Sequence, residues 1–462
     1  MNIVIIGNGI AGVTAARWIR KHSNHSVTII SDETDYFFSR TALMYVFMGH
    51  MRFKDIKPYE DWFWKKNRLN VVKGRVTSID YKNKSLSFEQ STLRSDEGSK
   101  LKAQSSKINY DKLIIATGSK SNKFGWQGQN LDGVHGLYHY QDVEAMERHA
   151  AKIKRAVIVG GGLIGIEMAE MFHSRYIPVT FLVRENSFWN SVLPQEESEM
   201  VNRVIRKNGI DLRLNTELDT ILDDNNDGIA DAITTKKGER IDCQFVGLTV
   251  GVSPNVDFLK NTGLNINRGI LVNDYLETNT PDVYSIGDCA EIQNPMPSRK
   301  AIEAVWYTGR IMGETVATTI CVEKTPYNPG IWFNSAKFLD IEYQVYGDIQ
   351  TKPDEHTAQI YWEDAKTHER SIRIQYHKNS GAVKGFNLMG VRYRHEVCEK
   401  WIKSETHIED VLQKLSLANF DPEFYRQPEV ELIAQYNAKN NRHIQNTSQR
   451  DLNQVLTFLS EP

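Results

Sequence analysis

Apolar residues in this chain recur in short unbroken runs rather than in long amphipathic stretches. NIVII (2–6), SVTIIS (26–31), YDKLIIATGS (110–119), AVIV (156–159) and PVTFLV (178–183) are each strand-sized, closed or directly followed by small or polar residues. Runs of this kind are the pattern of strands buried on both faces of a parallel sheet. Between the second and third runs, residues 70–90 alternate and read as a hairpin or meander, and STLRSDEGSKLKAQSSK (91–107) reads as a long solvated loop. Strand character with turn chemistry returns at 240–255 and 269–292. KTPYNPG (324–330) has the prolines and glycine of a boundary, and beyond it several strands give way to helical periodicity from His395. Residues 437–450 are nearly devoid of apolar groups and read as a loose linker to a last helix striped by Leu452, Val455, Leu456 and Leu459.

Two of the buried strands run into the same device. GNGIAG follows the first and GGGLIG follows AVIV, each spacing glycines as G-x-G-x-x-G where a helix opens. Gly7 and Gly160 turn the chain, Gly9 and Gly162 let backbone approach a pyrophosphate, and Gly12 and Gly165 let helix pack close on strand. The helix N-terminus then offers unpaired N–H groups and a partial positive charge to phosphates. After each second strand comes a place for a ribose-binding acid. Asp32 and Glu33 follow Ser31 in the first copy; Arg184 and Glu185 follow Val183 in the second, so both an NAD-type acid and an NADP-type arginine are present.

Charge and cysteine content narrow the partners. Lys plus Arg is 56 against Asp plus Glu 58, so no global field favours nucleic acid or an anionic membrane. No run is long enough for a membrane helix or signal peptide, and a cytoplasmic location is expected. The four cysteines lack metal-type or C-x-x-C spacing, are expected to be buried apolar groups, and leave no metal ligand set to assign. DDNNDGIAD (223–231) has the D-x-N-x-D-G of a calcium loop, but position 12 is Thr234 and strands flank it, so a hairpin turn is expected.

In order, GNGIAG, LIIATG, GGGLIGIE and VYSIGDCAEI resemble the two-dinucleotide flavoprotein reductases of the pyridine nucleotide-disulfide oxidoreductase superfamily, over roughly residues 1–345. The resemblance implies an α/β fold: two Rossmann-like, glutathione-reductase-like dinucleotide-binding domains plus an α+β C-terminal domain. It implies an FAD domain at 1–119 and 250–325, an NAD(P) domain at 120–249, and a C-terminal partner domain at 326–462. FAD and NADH or NADPH are the implied cofactors, with NADH slightly favoured. Gly7, Gly9 and Gly12, flanked by Ile10 and Ala11, would hold the FAD pyrophosphate. Asp288 after Gly287 would bond the ribityl or phosphate region, Thr117 and Gly118 would lie where the chain crosses near FAD, and Val76 and Gly251 belong to the same lining set. Gly160, Gly162 and Gly165 would hold the nicotinamide nucleotide, with Glu167 near the nicotinamide.

Within that superfamily, disulfide reductases keep a redox cysteine pair and related peroxidases a single cysteine where this chain has FFSRTALMYVFMGH (37–50), which has none. What remains resembles the rubredoxin, ferredoxin and nitrite reductase branch: an NAD(P)H-dependent reductase passing electrons through flavin to a small carrier. Arg40 matches that branch's arginine and would lie against the FAD phosphates or flavin edge; Tyr45 stands where some relatives carry a lysine. Trp332 or Phe333 would reach the flavin. Nine Lys/Arg against three Glu within 366–403 suggest a basic face for an acidic carrier such as ferredoxin or rubredoxin. An NADH-responsive protein of apoptosis-inducing-factor type, or the flavin subunit of a nitrite-reductase-like assembly, are the alternatives. No nucleic acid or membrane partner is expected, and monomer and homodimer both stay open.

Overall fold

In a computed structural model the described residues are 1–91, 103–421, 425 and 427–461. The chain divides into two compact units: Met1–Lys154 with Asp223–Asp231 and Gln244–Pro329, and Arg155–Leu222 with Ala232–Cys243 and Gly330–Pro462.

The first unit is built on a parallel sheet. Strands β1 (Asn2–Ile6), β2 (Ser26–Ser31), β3 (Leu69–Lys73) and the Lys112–Ile115 and Val283–Ser285 strands lie in the order 283–285, 112–115, β1, β2, β3. Because side chains alternate across a strand, the apolar runs feed two cores. Ile3, Ile5, Val27, Ile29 and Ile114 pack with helix α1 (Ile10–His22) and the Trp306–Cys321 helix, whereas Val4, Ile6, Ile30, Leu113 and Ile115 pack with Val76, Leu86 and Phe88. Helix α1 ends on Arg20, Lys21 and His22, which complement the negative end of its dipole. Its small residues let the Trp306–Cys321 helix come close: a Cβ on Gly313 would stand 2.6 Å from the Ala11 carbonyl oxygen.

The alternating stretch 70–90 splits. β3 joins the parallel sheet, while Arg75–Asp80 and Ser85–Ser91 pair antiparallel and are joined by Ala103–Asn109. Residues 103–107, expected as loop, are therefore strand. Their sequence is polar, and backbone pairing to Ser85–Ser91 rather than an apolar stripe sets them. The rest of the expected loop, 92–102, lies outside the described residues. Short helices α2 (Leu43–Phe47) and α3 (Asp61–Lys66) and the longer α4 (Tyr140–Ala150) complete the part of this unit used below.

The second unit repeats the motif. Ala156–Val159, Val179–Leu182 and Asp211–Arg213 pair in parallel, with α5 (Leu163–His173) and α6 (Gln195–Lys207) between them. Beyond Pro329 comes an antiparallel sheet ordered 333–338, 341–347, 383–389, 371–377, 357–363. The His395–Lys403, Ile408–Gln413 and Glu429–Asn440 helices bury Trp401, Leu412 and Ile433 in one core with Trp362 and Phe386 of the sheet. The tail departs from expectation twice. Residues 437–440 continue the helix from Glu429, and of the stripe on Leu452–Ser460 only Val455 is buried, with Leu452 and Leu456 exposed. Among the described residues no helix is long and apolar enough to cross a membrane.

Candidate functional site

The first site forms where β1 turns into α1. Gly7 has φ +108° and its Cβ position lies 2.1 Å from the Ala116 carbonyl oxygen, so any side chain would collide with the neighbouring strand's backbone. Gly12 is as confined: its Cβ would sit 2.2 Å from the Gly7 carbonyl oxygen. Gly9 differs. It caps α1, and among the described residues no heavy atom lies within 4 Å of a Cβ built there. Two glycines thus close the turn and the third leaves open space at a helix N-terminus, which is the fit a pyrophosphate needs.

The Ser31 hydroxyl donates to Asn8 Oδ1 at 2.9 Å, and Asn8 Nδ2 donates to the Thr34 carbonyl at 3.0 Å. This buried tie locks the glycine turn to the end of β2 and gives Ser31, at the usual acid position, a structural role. Asp32 is exposed, and Glu33 turns inward. Glu33 Oε1 and Oε2 accept from Arg40 at 2.9 and 2.7 Å, and Oε1 accepts the Tyr140 N–H at 3.0 Å. Burial opposes ionisation of Glu33, but the bonds and charges of His139 and Arg40 outweigh it and bring its pKa down to about 2. Arg40 also donates to the Tyr138 carbonyl and lies 4.5 Å from the Tyr138 ring centroid. Burial works against its charge, and Glu33 reverses that, raising its pKa.

Tyr138 was not legible as a site residue. Its hydroxyl accepts the Ser119 N–H at 2.8 Å and donates to Asp288 Oδ2 at 3.1 Å, and Ser119 Oγ donates to the same oxygen at 3.2 Å. Burial raises the Asp288 pKa in spite of these donors and of Arg40. Gly118 has φ +67°, and a Cβ there would meet the Tyr138 hydroxyl at 2.7 Å. Thr117 Oγ1 donates to the Asn255 carbonyl at 2.8 Å, and Gly287 brings the Asp288 turn against Ala11. The glycine turn, Thr117–Gly118, Glu33, Arg40 and Asp288 are therefore parts of one cluster. Val76 is instead core, and Gly251, at φ +88°, lies beside Asn122.

The stretch 37–50 forms a short 3-10 turn, Arg40–Ala42, and α2, with no thiol. All four cysteines are free. Cys289, beside Asp288, is fully buried with its Sγ 3.3 Å from the Ile286 carbonyl, and burial raises its pKa. A thiolate relay is therefore not provided here.

The second unit carries the other turn. Gly160 has φ +119°, Gly162 caps α5, and Gly165 is buried within it. Trp189, also not legible beforehand, places its indole 4.0 Å from a Cβ at Gly162. On α5, burial and the neighbouring Glu170 push the Glu167 carboxyl up to about 7. Glu170 itself is paired with Lys337 at 2.8 Å. Val183 is buried, and Arg184 pairs at 2.8 Å with its own neighbour Glu185. Phe333 begins the antiparallel sheet directly after Trp332, and it packs edge-on against His395.

Of the nine Lys/Arg in 366–403, seven are held by a carboxylate or a backbone carbonyl. Arg373 is buried on Glu197 and Glu196, Arg370 pairs with Asp421, Arg392 with Glu342, Lys384 with Glu405 and Lys403 with Glu399. Arg394 and Lys400 donate to backbone carbonyls. Most of those partner carboxylates lie outside residues 366–403.

The family described as pyridine nucleotide-disulphide oxidoreductase matches residues 1–308. The "Assimilatory nitrate reductase electron transfer subunit" of Bacillus subtilis (strain 168) is 24% identical over 80% of this chain, which spans 46% of that protein. The "NADH-rubredoxin oxidoreductase" of Clostridium acetobutylicum is 29% identical over 75% of this chain and 82% of its own length. Among solved structures, an NAD-dependent persulfide reductase from A. fulgidus superposes with TM-score 0.80 at 21% identity, covering 96% of this chain and 84% of that one. The chain thus spans about half the length of some curated relatives it matches.

Proposed function

The chain belongs to the pyridine nucleotide-disulphide oxidoreductase family, and from that premise we propose that it is an FAD-dependent NAD(P)H oxidoreductase passing electrons to a small carrier protein of the ferredoxin or rubredoxin type. The supporting observation is the pair of glycine turns, each at a helix N-terminus and each on its own parallel sheet, together with a cysteine-free 37–50 segment. When bound, FAD would take a hydride from the nicotinamide and release the electrons to the carrier.

The chain's own groups supply binding and orientation. In this reading residues 1–119 and 250–325 hold FAD, 120–249 the nicotinamide nucleotide, and 326–462 the partner. The open side of Gly9 and the α1 N-terminus take the pyrophosphate. Glu33 fixes Arg40 as a rigid cation beside it, and Asp288, oriented by Tyr138 and Ser119, hydrogen-bonds the ribityl or phosphate region. Glu167, held near half-protonated at neutral pH, can donate to or accept from the carboxamide. Because Arg184 is already matched by Glu185, a 2′-phosphate would compete with that pair, which favours NADH over NADPH.

Purified protein should be yellow, and its flavin should bleach on anaerobic mixing with NADH and reoxidise with a carrier protein. A folded, flavin-free protein, or a bound flavin that neither nicotinamide reduces, ends the proposal. A second reading, the flavin-bearing electron-transfer part of a nitrate- or nitrite-reductase-like assembly, is favoured by the Bacillus relatives and by the partial coverage of their length. Co-purification with a cluster-bearing chain separates the two.

A further inference from the structure

Away from the glycine turns, the first unit gathers three potential ligand side chains that no motif announced. Asp132 lies in a tight turn, His135 ends the two-residue strand Val134–His135, and His149 lies in the last turn of α4. One ligand atom from each lies within 4.8 Å of the other two. His149 Nε2 is 3.0 Å from Asp132 Oδ1, while His135 Nε2 is buried with no hydrogen-bond partner. A buried ring nitrogen without a partner is costly unless something coordinates or bonds it.

The scaffold is stiff where the ligands attach. Gly133, at φ +87°, would drive a Cβ to 2.8 Å from the Gln244 carbonyl oxygen, so the Asp132 turn is set by backbone contact. The Asp132 N–H and carbonyl bond Gly228 and Ala230, and Val134–His135 pairs with Val246–Gly247. Phe245, fully buried, lies against both imidazoles at ring-centroid distances of 5.8 and 6.3 Å and forms a dry floor. Asp132 is 59% exposed and opens the cluster to solvent, leaving an entry path.

We propose that Asp132, His135 and His149 form a binding site for a divalent first-row transition-metal ion, with Zn2+ as the probe. Two imidazoles and one carboxylate suit such an ion in three protein bonds plus water, whereas Ca2+ and Mg2+ demand oxygen ligands. The ion would tie the 131–133 turn to the C-terminal end of α4, whose N-terminal end bears Tyr140, bonded through its N–H to Glu33.

The test uses untagged, chelator-treated protein with its flavin, titrated with Zn2+ against a chromogenic indicator. One saturable equivalent is expected, undiminished by millimolar Ca2+. His149→Ala and His135→Gln, checked for fold by flavin absorbance and circular dichroism, should each weaken Zn2+ binding by on the order of 100-fold. Asp132→Asn, exposed and safe for folding, should weaken it as well. Absence of a saturable equivalent in the wild type, displacement by Ca2+, or an equivalent that survives in the folded variants overturns the proposal.

Discussion

The Glu33–Arg40 pair makes a sharp prediction because its geometry and its titration point the same way. Glu33 has 9% of its side chain exposed and takes both guanidinium nitrogens of Arg40. Its pKa falls from an ordinary 4.5 to about 2, and that difference of roughly 2.5 units corresponds to about 3 kcal/mol of folding stability at pH 7. Since the folded-state value is the lower one, the contribution is complete above pH 4.5, shrinks as pH falls, and is gone below about 2. The same linkage leaves about 1.4 kcal/mol at pH 3. Glu33→Gln should therefore destabilise the first unit by about 3 kcal/mol at pH 7, within the range for breaking one side of a buried pair, and by less than half of that at pH 3. With two units a single global unfolding free energy is ill-defined, so pulsed hydrogen exchange across a urea series should read peptides 36–48 and 138–142 separately. A loss under about 1 kcal/mol at pH 7, or a gap between wild type and variant that does not narrow at pH 3, would refute the reasoning.

Four further substitutions probe the remaining parts. Gly9→Ala meets no described atom and should cost about 1 kcal/mol or less of stability, yet strip the protein of FAD, as read by absorbance after gel filtration; retained flavin would disconnect this turn from the cofactor. Glu167→Gln should flatten a step near pH 7 in the rate of flavin reduction by NADH. Because the folded-state pKa is the raised one, the wild type loses stability as pH rises from 4.5 through about 7, so this variant should gain up to about 3 kcal/mol at pH 8.5 and almost nothing at pH 4. Thermal denaturation at the two pH values checks the sign. Arg373→Met leaves Glu197, fully buried, without its cation and should destabilise the second unit by about 3–5 kcal/mol in urea, while the more exposed Arg392→Met changes it by less than about 1 kcal/mol.

What was legible in the sequence is what short-range chemistry dictates. Ile3, Ile5 and Ile29 read as a buried strand pair because parallel strands covered on both faces need no polar alternation, and Gly7 read as the turn and Gly12 as the close helix-to-strand approach because a Cβ at either position meets backbone within a few residues or across one strand pair. The 103–109 strand was not legible, since its pairing with 85–91 rests on backbone bonds that leave no side-chain period. The cationic window 366–403 shows a related limit. A window of sequence counts cations but omits Glu196, Glu197, Glu342 and Asp421, which the fold brings against Arg373, Arg392 and Arg370.

The site residues that sequence reasoning missed share one property: each acts on a group far along the chain. Tyr138 has no periodic context, yet it orients Asp288 150 positions away and accepts from Ser119. Ser31, which displaces the expected acid, makes sense only once Asn8 is seen to need its hydroxyl, and that requirement moves the ionised carboxylate to Glu33, where Arg40 and the α4 N-terminus are waiting for it. In this chain the acid after β2 that turns inward is Glu33 rather than Asp32, and it faces Arg40. Glu33, one residue beyond the exposed Asp32, is the group whose loss should be felt by the cofactor turn.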